Sequence, residues 1–156
     1  MLEFQRGRRL AFDVGRARIG VAVCDPDGIL ASGVATLPAQ DESATTAAIE
    51  ALLLEYEPVA LYVGKPTNLN NDNTASTEEA LIFARRLQGQ VSVPVIMVDE
   101  RMSTAAAAAQ LREAGRNSKN SKTIIDQAAA AVILESALSL EKSGKPAGAP
   151  IVDYTQ

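Results

Sequence analysis

Histidine is absent from the 156-residue chain, and cysteine occurs once, at Cys24. Without histidine the chain cannot build a Ser-His-Asp triad, a histidine general base or an imidazole metal ligand. A single cysteine excludes an intrachain disulfide framework. Any chemistry must therefore come from carboxylates, lysine, arginine, hydroxyl groups or the Cys24 thiol, and a reducing cytoplasm is the expected compartment.

We also predict neither a secretory signal nor an apolar run long enough to span a bilayer. Hydrophobic residues make up 47% of the chain and charged residues 22%, which are proportions typical of a globular domain. We therefore expect a soluble protein without a membrane partner. One domain should span residues 1–142, and a Gly- and Pro-rich flexible tail should span residues 143–156.

The net charge of −4 is unevenly distributed. Residues 1–20 hold five arginines against two acidic residues, and residues 110–122 hold four basic residues against one glutamate. Segments of this kind either bind a polyanion such as nucleic acid or form an ordinary solvated surface. The charge pattern alone leaves both interpretations open.

Apolar runs and helical periodicities alternate along the chain in the order βββαβαβαα. The three opening strands form a predicted antiparallel meander, and the later strands alternate with helices. This order predicts an α/β protein with a mixed five-stranded sheet, helices on both faces, and strand 1 beside strand 4. The predicted strands cover 9–14, 19–25, 29–37, 59–64 and 94–99, and three predicted helices cover 42–57, 103–115 and 123–142. A further helix is predicted to begin with a capping box of Ser76 and Glu79 and to include Leu87.

Acidic residues occur where apolar strands end. Asp13 lies at the end of the first strand, and Glu100 follows the fifth. Asp126 lies near the start of the last helix, on the same face as residues that should be buried. A buried carboxylate requires a compensating partner, and sites in open α/β sheets form at the carboxyl ends of the strands. Alternatively, Asp126 only complements the helix dipole.

Together, Asp13, Glu100 and Asp126 form a set of oxygen ligands that suits Mg²⁺ or Mn²⁺. Without a cation such a cluster would repel itself. Two ions about 4 Å apart could activate water and stabilise the leaving oxygen in phosphodiester hydrolysis without histidine. No local metal-binding motif is present, so this prediction depends on the placement of the three acids at the ends of the predicted elements.

Three segments resemble motifs of the YqgF family, also called RuvX-like. "DVGRARIGVAVCD" at 13–25 resembles the family's opening motif, "VDERMST" at 98–104 its Asp-Glu-Arg-x-Ser-Thr motif, and "KTIIDQAAAAVIL" at 122–134 its last helix. The resemblance implies an RNase H-like fold and an endonuclease that matures the 5′ end of 16S ribosomal RNA, related to Holliday junction resolvases. The family's acids correspond to Asp13, Glu100 and Asp126.

Two residues depart from the family pattern. Lys65 stands in the loop after the fourth strand, where family members usually have Gly-Leu-Pro, and Cys24 stands where they usually have Ser. Lys65 brings the substrate contacts of that loop into question, although a cation suits a phosphate chain. Cys24 is either a buried inert thiol or one half of an intermolecular disulfide.

Four basic residues are predicted to contact nucleic acid: Arg16, Arg18, Lys65 and Arg101. Arg16 and Arg18 lie in the hairpin after Asp13, where they could hold a phosphate or balance the acids. Arg101 could bind phosphate or orient Glu100. The expected partners are structured RNA or branched DNA and a pre-ribosomal particle, with the protein a monomer or a homodimer.

Alternative functions come from other classes of protein. An Asp-x-Gly hairpin also occurs in actin-like ATPases and sugar kinases, but those proteins close two domains around a nucleotide and this chain is long enough for one. A second alternative is a non-catalytic module that holds RNA through its basic segments. Three acids facing a polyanion would weaken such binding unless a metal neutralised them.

Overall fold

The computed structural model describes residues 3–66, 74–100 and 121–154. The strands in these ranges are β1 Arg9–Val14, β2 Arg18–Cys24, β3 Ala31–Pro38, β4 Ala60–Lys65, β5 Val95–Asp99 and β6 Ala149–Pro150. The helices are α1 Glu42–Tyr56, α2 Ala75–Gln90 and α3 Ser121–Lys142. A short 3-10 helix spans Ile151–Asp153. The predicted helix over 103–115 and residue Arg101 lie outside the described residues.

These strands form one mixed sheet in the order β3-β2-β1-β4-β5-β6. β1, β2 and β3 are antiparallel neighbours, whereas β4 pairs in parallel with both β1 and β5. The predicted α/β class, the opening meander and the central position of β1 beside β4 are therefore confirmed.

The sheet separates two apolar layers. Leu10 and Phe12 of β1 pack in one layer with Ile49 of α1 and Leu87 of α2. The alternate β1 residue, Ala11, packs in the other layer with the small and branched residues of α3. This alternation follows from the period of two along a strand. It also places the Asp13 side chain on the same face as Ala11, towards α3.

Helix α3 lies very close to β2. A Cβ atom added to Gly20 of β2 would overlap the backbone carbonyl oxygen of Asp126, so this position tolerates only glycine without a shift of the helix. Alanines on the inner side of α3, such as Ala130 and Ala137, are fully buried against the sheet. Small residues on both elements thus bring the start of α3 to the carboxyl end of β1.

We predicted no apolar run long enough to span a bilayer, but Thr123–Lys142 of α3 is long and apolar enough to do so, with a mean hydropathy of 1.4. In the structure one side of this segment is buried against the sheet at Ala130, Ile133, Leu134 and Ala137. A helix that covers a sheet needs such an apolar composition. The composition of α3 is therefore only weak evidence for a membrane span.

The expectation of a flexible tail from residue 143 is wrong for the residues described up to 154. Ala149–Pro150 forms β6, which pairs antiparallel with β5, and Ile151 is 2% exposed in the layer beside α2. The high Gly and Pro content predicted a loose segment, but a two-residue strand and one anchoring side chain suffice to dock it. The sheet consequently has a sixth strand that the sequence did not predict.

Cys24 is 1% exposed, and the backbone N–H of Arg9 donates a hydrogen bond to its Sγ at 3.3 Å. Burial raises the pKa of the Cys24 thiol. Of the two alternatives for this residue, the structure shows the buried thiol, which a disulfide to a second chain could not reach without local unfolding.

Candidate active site

Two of the three predicted acids meet at one edge of the sheet. Asp13 lies at the carboxyl end of β1, Glu100 follows β5, and β4 lies between these strands. The side chains of Asp13 and Glu100 are hydrogen-bonded to each other, and both are half-buried. A Cβ atom on Gly64 of β4 would overlap Glu100 Oε1, so the absence of a side chain there makes room for the pair.

The two carboxyl groups perturb each other. Burial, followed by the charge of Asp13 and the hydrogen bond with it, raises the pKa of Glu100 to about 8. Burial also raises the pKa of Asp13, the charge of Asp126 adds to the rise, and the hydrogen bond with Glu100 opposes it. Two carboxyl groups so close together share a proton when no cation lies between them.

Asp126 reaches the same region from α3. Arg18 Nε at the start of β2 donates a hydrogen bond to Asp126 Oδ2 at 2.7 Å. The Arg18 side chain is 39% exposed and that of Asp126 17%. In the part of the chain that the structure describes, no three His, Cys, Asp or Glu side chains are grouped as a metal site. Asp126 therefore lies within electrostatic reach of Asp13 but is held by Arg18.

The donor chemistry fits a hard divalent cation. Asp13 and Glu100 offer carboxylate oxygens side by side, which are the ligands that Mg²⁺ and Mn²⁺ prefer. A cation between the two groups would replace the shared proton and lower both raised pKa values. Asp13 and Glu100 could therefore hold a metal ion, with Asp126 as a neighbouring third carboxylate.

The basic residues that we predicted to contact nucleic acid lie on different parts of the structure. Arg16 is 81% exposed in the β1–β2 hairpin, with its Nε 3.7 Å from Glu79 Oε1. Lys65 follows Gly64, whose missing side chain faces Glu100, so strand alternation places Lys65 on the opposite face. There its Nζ lies 5.0 Å from the centre of the Tyr154 ring. The structure thus brings Arg18 to Asp126, whereas Arg16 lies beside Glu79 of α2 and Lys65 lies across the sheet from Asp13 and Glu100.

Sequence reasoning missed two residues that shape this site, Gly20 and Gly64. Neither carries a chemical group, and each acts by leaving space, Gly20 for α3 and Gly64 for Glu100. The signal available in the sequence was a glycine inside a buried strand, which often marks the close approach of another group.

A family model described as RuvX: Holliday junction resolvase matches residues 7–140. A protein from Streptomyces coelicolor is 48% identical over 146 residues, covering 92% of this chain and 87% of that protein. One from Clavibacter michiganensis is 47% identical over 145 residues, covering 92% of this chain and 90% of that protein. Both carry the name "Putative pre-16S rRNA nuclease".

Among solved structures, the chain is similar to Thermus thermophilus RuvC in complex with a Holliday junction substrate. The TM-score is 0.59 at 18% identity, and the match covers 92% of this chain and 99% of that chain. A similarity at this level of identity concerns the fold, and it agrees with the RNase H-like fold expected from the sequence motifs.

Proposed function

This chain belongs to the RuvX family, and we propose that it is a divalent-metal-dependent endonuclease that hydrolyses phosphodiester bonds in structured nucleic acid. The observation that carries this proposal is the pair of hydrogen-bonded, half-buried carboxyl groups of Asp13 and Glu100 at the edge of the sheet. Two acids with raised pKa values form a site that a cation would complete.

In this proposal Asp13 and Glu100 are metal ligands, and Asp126 is the third acid. One or two bound Mg²⁺ or Mn²⁺ ions would activate the attacking water and stabilise the leaving oxygen. The chain's own part is to hold its carboxyl groups in place, and a bound cation would favour their ionised forms. Arg16, which is exposed in the β1–β2 hairpin and only loosely paired with Glu79, is suited to bind a phosphate of the substrate.

The relatives named for pre-16S rRNA support a specific substrate, the 5′ end of precursor 16S rRNA. The protein would then act in the cytoplasm on a pre-ribosomal particle. A second candidate substrate is a four-way DNA junction, which the description of the family model favours. Contacts to phosphates would not distinguish the two, because they carry little information about base or sugar.

The test offers purified protein a 5′-extended 16S rRNA precursor and a four-way DNA junction, each with Mg²⁺, Mn²⁺ or a chelator. We expect cleavage only with a divalent ion. Asp13→Asn, Glu100→Gln and Asp126→Asn should each lower cleavage by more than about 100-fold, since each removes a ligand charge and keeps the side chain's shape. Binding of the nucleic acid should persist in all three variants.

Asp27→Asn is the matched control, because Asp27 is an exposed acid in the β2–β3 turn that pairs with Arg6. This variant should cleave at the normal rate. Cleavage in chelator by the pure protein, or normal rates in the three site variants, would show that the carboxylates are structural and the proposal is wrong.

A further inference from the structure

The contact between Arg18 and Asp126 joins two residues that are 108 positions apart in the sequence. Its N···O distance of 2.7 Å is short, as expected when both donor and acceptor are charged. The contact uses Nε of the guanidinium and only one of the two carboxylate oxygens, Oδ2. The bond to Oδ2 therefore also fixes the orientation of the other carboxylate oxygen of Asp126, Oδ1.

The backbone fixes Asp126 as well. Gly20 pairs with Asp13 across β1 and β2, and the carbonyl oxygen of Asp126 occupies the space that a Gly20 side chain would fill. Arg18 and Gly20 lie on the same face of β2, because they are two residues apart. The start of α3 is thus placed directly over the strand pair that carries Asp13, and Arg18 fixes the direction of the acid on it.

Arg18 differs in this respect from its neighbour in the hairpin, Arg16. The Arg16 side chain is 81% exposed and lies 3.7 Å from its acidic neighbour, whereas Arg18 is half as exposed and bonded at 2.7 Å. An arginine that already holds a carboxylate is less available to a substrate phosphate. The two arginines that the sequence treated alike therefore have different surroundings.

We propose that Arg18 is a positioning residue, which holds Asp126 through Oδ2 and leaves Oδ1 to the metal ion of Asp13 and Glu100. This inference rests on the proposed function, because it assumes that the acids bind a divalent cation. Carboxylates that ligate metals are commonly held by hydrogen bonds from neighbouring groups, and loss of such a partner lowers metal affinity by about 10- to 100-fold.

The experiment measures Mn²⁺ binding to the protein in the absence of nucleic acid, by titration calorimetry. Arg18→Met removes the guanidinium and retains much of the side chain's length, and Arg18→Lys retains a charged donor. Arg6→Met is the matched control, because Arg6 Nε also bonds an aspartate, Asp27, at 2.9 Å, but away from the acids. Thermal unfolding of each variant establishes that it is folded.

We expect Arg18→Met to weaken Mn²⁺ binding by about 10- to 100-fold, Arg18→Lys to recover part of the loss, and Arg6→Met to bind as the wild type does. A merely structural role for Arg18 would lower the unfolding temperature without a selective loss of Mn²⁺ affinity. Nucleic-acid affinity, measured separately in chelator, should change by less than about twofold for Arg18→Met.

Three results would overturn the inference. If Arg18→Met binds Mn²⁺ as the wild type does and loses nucleic-acid affinity, Arg18 is a phosphate contact. If Arg18→Met binds Mn²⁺ more tightly, Arg18 competes with the cation for Asp126. If the wild type itself binds no Mn²⁺, the proposed metal-dependent function fails together with this inference, whereas the first two results leave that function intact.

Discussion

Each end of β1 places an ionisable side chain on the face of the sheet that is turned towards α3, but the two side chains have different neighbours. Arg9 lies at the beginning of the strand, Asp13 lies at its end, and Ala11 separates them. Around Arg9 the chain provides an acidic partner and hydrogen-bond acceptors. It surrounds Asp13 with further acids.

At the Arg9 end every contact is compensating. The side chain is 2% exposed, its Nη1 donates to the carbonyl oxygen of Gly7 at 2.6 Å, and its Nε donates to Tyr62 Oη at 3.3 Å. Nε also lies 3.4 Å from Glu141 Oε1, and the guanidinium carbon lies 4.4 Å from the centre of the Phe4 ring. These partners offset the cost of burying the guanidinium charge, and removal of one partner would leave the others uncompensated.

At the Asp13 end the groups that perturb Asp13 are themselves acidic, and Arg18 is bonded to Asp126. Asp13 and Glu100 raise each other's pKa through burial and proximity, and the charge of Asp126 adds to the effect on Asp13. Both ends contain buried ionisable groups, so burial alone does not distinguish a functional site from a structural one. The difference lies in whether the chain itself neutralises the charge. At Asp13 the proposed metal ion would do so.

The largest predicted effect comes from removing the compensated charge. Arg9→Met keeps most of the buried volume but leaves Tyr62 and Glu141 without their cationic partner. We expect the free energy of unfolding to fall by about 4 kcal/mol, measured by urea denaturation at pH 7.

Arg86→Met is the control for this measurement, because Arg86 is exposed and lies 3.8 Å from Glu42 on the protein surface. It should change the free energy of unfolding by less than about 0.5 kcal/mol. An equally small effect for Arg9→Met would mean that the two ends of β1 do not differ in the way described.

A second substitution acts on the approach of α3 at the Asp13 end. Gly20→Ala places a methyl group where the Asp126 carbonyl oxygen lies, so the start of the helix must move. We expect a loss of about 3 kcal/mol in the free energy of unfolding, together with loss of cleavage. Gly89→Ala is the control, since a Cβ at that position in α2 meets no atom within 4 Å. A stable, active Gly20→Ala variant would contradict the importance of the close approach.

The sequence predicted the part of the site that depends on sheet geometry. Asp13 and Glu100 follow apolar strands that run in parallel with β4, and the carboxyl ends of parallel strands meet at one edge of a sheet. Their adjacency therefore follows from the pattern of strands.

Other features had no local signal. The bond from Arg18 to Asp126 depends on how closely α3 packs on β2, which no pattern in either segment specifies. β6 has only two residues, one of them proline, and so lacks the periodicity that identifies a strand. The start of α2 was predicted as a capping box of Ser76 with Glu79, but Thr74 and Thr77 form it, because threonine hydroxyls make the same reciprocal bonds two residues earlier.

A third prediction concerns how the ionisation of Glu100, beside Asp13, affects stability. The folded-state pKa of Glu100 is about 8, above its ordinary value of 4.5. The protonated Glu100 carboxyl group therefore favours the folded state. This contribution to stability is fully present below pH 4.5 and is lost as the pH rises through about 8. Glu100→Gln cannot ionise, so in chelator at pH 8 its free energy of unfolding should exceed that of the wild type by about 2 kcal/mol.

Urea denaturation at pH 5, 7 and 8 checks this prediction. The advantage of Glu100→Gln should shrink towards pH 5 and should also shrink at pH 8 when Mg²⁺ is added, because the cation stabilises the ionised wild-type site. Glu50→Gln, on the exposed side of α1, should show the pH dependence of the wild type. A Glu100→Gln variant with that same dependence would show that Glu100 ionises normally.

The smallest predicted effect isolates one hydrogen bond at the compensated end. Tyr62 Oη donates to Glu141 Oε1 at 2.5 Å and accepts from Arg9 Nε, and the ring is fully buried. Tyr62→Phe keeps the ring's packing and removes only the hydroxyl. Arg9 retains Gly7 and Glu141 as partners, and Glu141 is partly exposed to water, so the loss should be only about 1 kcal/mol in urea denaturation. Metal binding and cleavage should be unchanged, since this end of β1 is remote from the acids, and a Tyr62→Phe variant with impaired cleavage would show that the two ends are coupled.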